Sequence, residues 1–212
     1  MFYVRKSLTR PLVLLALSAV ALAACQRNPL VVRRSPCPAV AVPVYANDLT
    51  LFQPGTAPDI GNMDLAASIT NVRGSCTEGS SRLVSNVTYQ VVAQRSDARG
   101  ARSVQLPVFA SVVQGGNLLV SKQISSVTLN FADGAARAVA SGSARAEVDR
   151  AATVLPDAVQ RRINRKRKAG DPDAAVDPMA DPEVRAAMRA ASFELLVGFQ
   201  LTEQQLAYNV TK

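Results

Sequence analysis

The side chains able to do chemistry fall into two groups. The first is three cysteines, Cys25, Cys37 and Cys76. The second is the run "RRINRKRK", where Arg161, Arg162, Arg165, Lys166, Arg167 and Lys168 set six cations within eight residues. Histidine is absent, which removes the commonest general base, the usual metal ligand and the triad imidazole. No nucleophile elbow, phosphate loop, zinc helix or calcium loop occurs in the chain. Asp171, Asp173, Asp177 and Asp181 alternate with prolines and read as a solvated stretch rather than a cation site. Of the acids, only Glu147, Asp149 and Glu194 fall in or beside predicted strands. Nothing in their spacing pairs them as glycoside hydrolysis requires. The sequence therefore assigns no catalytic residue, no metal ligand and no cofactor.

Cys25 closes an apolar run. Arg5, Lys6 and Arg10 are followed by "PLVLLALSAVALAA", residues 11–24, which carries no charge. That run is shorter than the about 20 residues a membrane-spanning helix needs. A charged head, a short apolar stretch and small residues before a cut predict a secretory signal peptide over residues 1–24. Leu22-Ala23-Ala24-Cys25 resembles the lipobox of bacterial lipoproteins. The resemblance implies diacylglycerol on the Cys25 sulfur, cleavage before Cys25, and a further acyl chain on the new amino group. Two or more chains anchor a protein stably where one does so marginally. In the lipobox family an Asp after the cysteine favours the inner membrane. Gln26 stands here, which points to the outer membrane with the domain facing the periplasm. Residues 26–36 then form a tether, whose Arg27, Arg33 and Arg34 either rest on anionic headgroups or are simply solvated.

Export implies an oxidising compartment, where paired cysteines become disulfides. With Cys25 acylated, Cys37 and Cys76 have only each other. Closing a loop of about 40 residues corresponds to roughly 4 kcal/mol of chain entropy if the bond is unstrained.

The totals narrow the class further. Apolar residues make up 48%, enough for a globular core, but aromatics are only 5% and Trp is absent. Stacking platforms for single-stranded nucleic acid rely on aromatics, so nucleic acid is not an expected partner of an exported chain of this kind. The formal charge is +8. The cations at Arg5, Lys6 and Arg10 leave with the signal peptide, so the mature chain is only mildly basic, suited to an anionic surface without requiring one.

Period-two alternation dominates the middle of the chain and predicts strands with one wet face. Met63, Leu65, Ala67 and Ile69 share a face, as do Leu83, Val87, Tyr89 and Val91, and as do Val104, Leu106, Val108, Ala110 and Val112. Pro107 marks that third strand as an edge or bulged strand, because it lacks a backbone donor. Gly115-Gly116 predicts a hairpin into "LLVSKQI" and then "VTLNF". "PAVAVPV" at 38–44 supplies a first strand, "ARAVASGSARAEV" a weaker one, and "FELLVGFQL" a last one. These elements predict a mainly β fold, an Ig-like or fibronectin-like antiparallel β-sandwich of about seven strands over residues 37–208. Leu155, Val159 and Ile163 predict one short helix, and Val184, Ala187, Met188 and Ala191 a second, with Asp181 as its cap. Both belong to a C-terminal insertion whose basic then acidic part, 161–190, reads as mobile. Thr202 and Gln205 form a capping box for a short terminal helix.

"LLVGFQLTEQQLAYN" resembles the C-terminal segment of uncharacterised exported bacterial lipoproteins, which implies a secreted β-rich domain and no activity. The expectation is a membrane-anchored, non-enzymatic envelope protein with a protein partner. The alternative is a binder of anionic envelope polymer, such as lipopolysaccharide or another glycan, through residues 161–168. A glycan hydrolase stands behind both.

Overall fold

The computed structural model describes residues 34–168 and 170–211. Among them, eight strands run in chain order: β1 (Ala39–Ala41), β2 (Asp48–Phe52), β3 (Met63–Glu78), β4 (Arg82–Arg95), β5 (Arg102–Gln114), β6 (Leu118–Phe131), β7 (Arg137–Asp149) and β8 (Phe193–Phe199). Two helices, α1 (Asp157–Asn164) and α2 (Pro182–Ala190), lie between β7 and β8, and a third, α3 (Glu203–Thr211), follows β8. The strands make two four-stranded sheets, ordered β1-β8-β5-β6 and β2-β3-β4-β7. All pairings are antiparallel except that of β1 with β8. The β-sandwich expected from the alternation is the architecture found. The strand order within it is this chain's own, with β2-β3, β3-β4 and β5-β6 as successive neighbours.

The alternating side chains build the interior. Leu65, Ala67 and Ile69 of β3, Val87, Tyr89 and Val91 of β4, Leu106, Val108 and Val112 of β5, and Leu195, Val197 and Phe199 of β8 are all buried in one cluster. Each large apolar side chain removed from water contributes about 1.5–3 kcal/mol. β7 reads weakly in sequence because its inner face is Ala138, Ala140, Gly142, Ala144 and Ala146, residues of modest strand propensity. It forms because β4 offers it a partner in register from Arg82↔Asp149 to Gln94↔Arg137. Gly142 is required there: the Tyr89 ring crosses it, and a Cβ would lie 2.4 Å from Tyr89 Cζ.

Two elements differ from the sequence reading. β2 has too short a pattern to stand out, and it pairs with β3 from Asp48↔Ser68 onward. Pro107 lies in β5, which is a central strand between β8 and β6. It is tolerated because its carbonyl accepts from Gln200 N at 2.9 Å, just beyond the last residue of β8. In a strand a residue's N and O point the same way. The missing N–H therefore faces Gln200, one residue past the end of β8, so the absent bond falls at the end of that ladder and not within it.

The chain passes between sheets at 96–101 and again at 132–136, at the same end of the sandwich. Arg95 holds both passages. It continues the inward alternation of β4 and is only 2% exposed. Its Nε donates to Ala135 O at 2.9 Å, and its Nη2 donates to Ala98 O at 2.6 Å and Ala132 O at 3.0 Å. Its guanidinium carbon stands 5.1 Å from the Phe131 ring centroid, a cation–π distance. Beside it, Arg102 of one sheet and Asp64 of the other form a two-point ion pair at 2.7 and 2.6 Å.

The opposite end is closed covalently. Cys37, just before β1, is bonded to Cys76 near the end of β3, with Cα atoms 6.1 Å apart. The bond joins the two sheets, and Gly74 leaves room for Val40: a Cβ there would sit 2.6 Å from Val40 Cγ2.

α3 seals a third side. Its capping box forms as expected, with Thr202 N donating to Gln205 Oε1 at 2.9 Å and Gln205 N donating to Thr202 Oγ1 at 3.3 Å. Tyr208 meets Phe52 edge to face at 5.0 Å. Asn209 is buried, and its amide donates to Tyr45 O at 2.9 Å and Asp48 O at 2.7 Å. The sequence motif Asn209-Val210-Thr211 is thus a structural latch.

The insertion has a core of its own. Val159 and Ile163 of α1 meet Val184 of α2, with Leu155, Met179 and Met188 packed around them. Asp181 caps α2 by accepting from Glu183 N at 2.8 Å.

Two stability consequences follow from these closures. Replacing both Cys37 and Cys76 with Ser lowers the unfolding free energy by about 2–5 kcal/mol, read by urea denaturation. A loss under 1 kcal/mol would mean the staple carries little. The second is acidic. Hydrogen bonds from Arg102 hold the Asp64 carboxyl below the usual carboxylate range. A carboxylate depressed in the folded state stabilises above its unfolded pKa of about 4, and that contribution is lost as pH falls through the folded value. Stability against urea therefore drops below about pH 4, and Asp64→Asn flattens that part of the profile. An unchanged acid slope in the variant would remove Asp64 from the account.

Candidate interaction surfaces

Cys25 and the signal segment fall outside the described residues. Cys37 and Cys76 are joined, the pairing expected for these two cysteines.

The six residues of the basic run separate into two kinds. Arg162 bridges the helices of the insertion, its Nη1 lying 2.5 Å from Asp181 Oδ2 and 3.0 Å from Glu183 Oε2. Hydrogen bonding to Glu183, followed by the field of Asp181, raises its pKa further. Arg165 pairs with Asp173, and Arg167 lies 3.4 Å from the same carboxylate. Arg161, Lys166 and Lys168 have no carboxylate partner among the described residues. The acids that follow the run are occupied within the segment: Asp171 accepts from Lys168 N, and Asp177 accepts from Met179 N. Half of the run is therefore internal wiring, and half is free charge.

A surface that the sequence reading did not single out lies on β6. All nine residues from Leu118 to Ser126 are exposed, before burial resumes at Val127, Leu129 and Phe131. β6 is paired on one side with β5 and ends its sheet on the other. Its inward positions Ser121, Gln123 and Ser125 stand opposite Val112, Ala110 and Val108 of β5. Val108 and Val112 are buried and Ala110 partly so, whereas their β6 neighbours are wet. The sandwich is open along this flank. On the outer face Ile124, 64% exposed, lies opposite Phe109, and Lys122 Nζ stands 5.0 Å from the Phe109 ring centroid. Leu119 and Val120 extend the apolar strip, with Leu119 opposite Val113 where the register shifts. A sequence signal existed: "LLVSKQISS" loses the period-two pattern of the other strands, as befits a strand with neither face buried.

One polar groove, of about 430 Å³, opens where β3 bulges between Thr70 and Arg73. Asn71 adopts φ +51° there, an uncommon conformation that Asn tolerates better than most residues. Thr88, Gln90, Ser141 and Ser143 line it with hydroxyls and amides. Tyr89 reaches it from the core, and burial pushes its phenol pKa up. Glu147 lies apart from it, held by Arg145 at 2.9 Å.

The two sheets and their insertion define a disulfide-stapled β-sandwich. No family model, no curated protein and no solved structure matches this chain.

The division of the basic run has a measurable consequence. Replacing Arg161, Lys166 and Lys168 with Ser lowers the salt needed to elute the protein from a polyanion column. Replacing Arg162, Arg165 and Arg167 changes elution less, because compensated charges project little field. Equal shifts for the two triple variants would contradict the division.

Proposed function

We propose that this protein is a membrane-anchored lipoprotein of the bacterial envelope and acts as a non-enzymatic interaction module. The lipobox Leu22-Ala23-Ala24-Cys25 supports the anchor, with acyl chains at Cys25 and the domain held in the periplasm, at the outer membrane by the Gln26 criterion. The observation that carries the docking role is the stretch Leu118–Ser126, exposed on both faces and unpaired along one edge. Exposed apolar edge strands are a liability that folds usually cover or charge. A strand from an envelope protein partner added to β6 would satisfy its free N–H and C=O groups, while side chains beside Ile124 and Phe109 would give specificity.

Two experiments test this reading. Mass spectrometry of the mature N-terminus is expected to find an acylated Cys25 as its first residue; an unmodified cysteine or a different cut would refute the anchor. A photo-crosslinking residue at Ile124 in intact cells is expected to capture one reproducible partner, lost when Leu119 and Val120 become Lys. Capture that is insensitive to those changes, or no capture, would refute docking at β6.

The alternative reading, an adaptor for anionic envelope polymer such as lipopolysaccharide, is supported by the free charges of Arg161, Lys166 and Lys168. It shares the anchor and differs in where binding is lost.

A further inference from the structure

Arg34 reads in sequence as part of the tether, but it is folded onto the domain. Its Nη1 donates to Thr153 O at 2.9 Å, and its Nη2 donates to Ala191 O. Both partners are neutral carbonyls, and no carboxylate lies within ion-pair reach among the described residues. Burial without a counter-charge lowers its pKa. Arg34 lines a recess of about 200 Å³ together with Arg150, Thr153, Val154, Leu155 and Gln160. Arg150 donates to Gly79 O at 3.0 Å and lies 3.5 Å from Glu78, in a pair exposed on both sides. Such a pair is weak and exchangeable. A guanidinium carries five N–H donors, so both arginines keep donors to spare, and the Gln160 amide has no partner among the described residues. One lip is apolar, because Val154 is 60% exposed.

Two arginines lining one small concavity bring to it the side chain whose planar fork of donors suits a phosphate. Position adds to the match. Arg34 lies nine positions after Cys25, a span of at most about 30 Å when fully extended. An acyl anchor at Cys25 therefore keeps this recess close to the headgroup layer.

We propose that the recess between Arg34 and Arg150 is a phosphate-binding site that takes the phosphodiester of an anionic lipid headgroup, with Val154 against the headgroup's apolar base. This rests on the lipid-anchor part of the reading above. The site fixes which end of the sandwich faces the membrane, and it leaves the β6 edge as a separate surface.

The test is arginine-selective dicarbonyl footprinting of the acylated full chain, read residue by residue by mass spectrometry. The chain is placed in phosphatidylcholine vesicles, in the same vesicles with phosphatidylglycerol, and in phosphatidylcholine vesicles with inorganic phosphate added. Phosphatidylglycerol is expected to slow modification of both Arg34 and Arg150 at least about fivefold, as occupancy of four-fifths or more requires. Arg73, exposed on β3, serves as the reference and keeps its rate. In Arg34→Gln the protection of Arg150 is expected to disappear, while the reference remains unchanged. Equal rates for Arg34 and Arg150 in all three preparations, or protection that extends equally to Arg73, would overturn the site. Protection by inorganic phosphate but not by phosphatidylglycerol would overturn the headgroup assignment. A chain that does not float with phosphatidylcholine vesicles at all would overturn the anchor, and the proposal with it. Flotation without protection would overturn the recess alone.

Discussion

A buried arginine decides whether this sandwich can close. The two sheets share one dry interior, and the chain must carry polar backbone across its end twice, after β4 and after β6. Carbonyls stranded at such an edge cost about 1–3 kcal/mol each when they lose water without gaining a partner. Arg95 answers three of them at once, at Ala98, Ala132 and Ala135. Its position is set by the strand: the inward alternation of β4 runs on one step past Ala93, so the guanidinium enters where the next core residue would stand. Phe131 receives its charged face, and the Arg102–Asp64 pair fixes the sheets beside it. Cys37–Cys76 performs the matching task at the far end with a covalent bond.

Fixed at both ends, the sandwich is still not closed on every side. β2 is covered by α3 through Asn209 and the Phe52–Tyr208 contact. β1 lies over Gly74. β6 has no such cover along its first nine residues, and its inward positions there are Ser and Gln rather than Val and Leu. The open flank is thus written into the side chains as well as the backbone. The insertion between β7 and β8 draws its stability from a different source. It is too small to bury much, so Val159, Ile163 and Val184 are supplemented by Arg162 bridging Asp181 and Glu183.

Much of this fold was legible in the sequence because its elements are local. The three long alternating strands, the Gly115-Gly116 hairpin, the Asp181 cap and the Thr202–Gln205 box each depend on residues within a few positions of one another. The misreadings and the weaker readings share one cause, which is that the deciding partner is distant in sequence. β2 is a strand because β3 accepts it. β7 is a strand despite its alanines because β4 offers it a long register. Pro107 sits in a central strand because it meets the neighbouring strand β8 only at that strand's end. Nothing near Asn209 in the sequence marks it as buried, and only the fold shows that its amide is spent on Tyr45 and Asp48. The candidate surfaces divide the same way. The basic run was visible as six charges, but which of them are free depended on where Asp173, Asp181 and Glu183 come to lie.

By itself, the sequence determined the features that need no partner beyond their neighbours: the alternation that makes two-faced strands, the charged and apolar segments before Cys25, and an arithmetic that leaves Cys37 and Cys76 to each other. Tertiary structure decided what is wet and what is dry. It turned Arg95 into an interior clamp and Arg34 from a tether residue into one wall of a recess. It also left Leu118–Ser126 bare beside β5, where Val108, Ser111 and Val112 opposite it are buried. The physical reason is that burial is a property of pairs of surfaces. A strand's own pattern says which face prefers to be covered, and only the arrangement of the other sheet says whether it is.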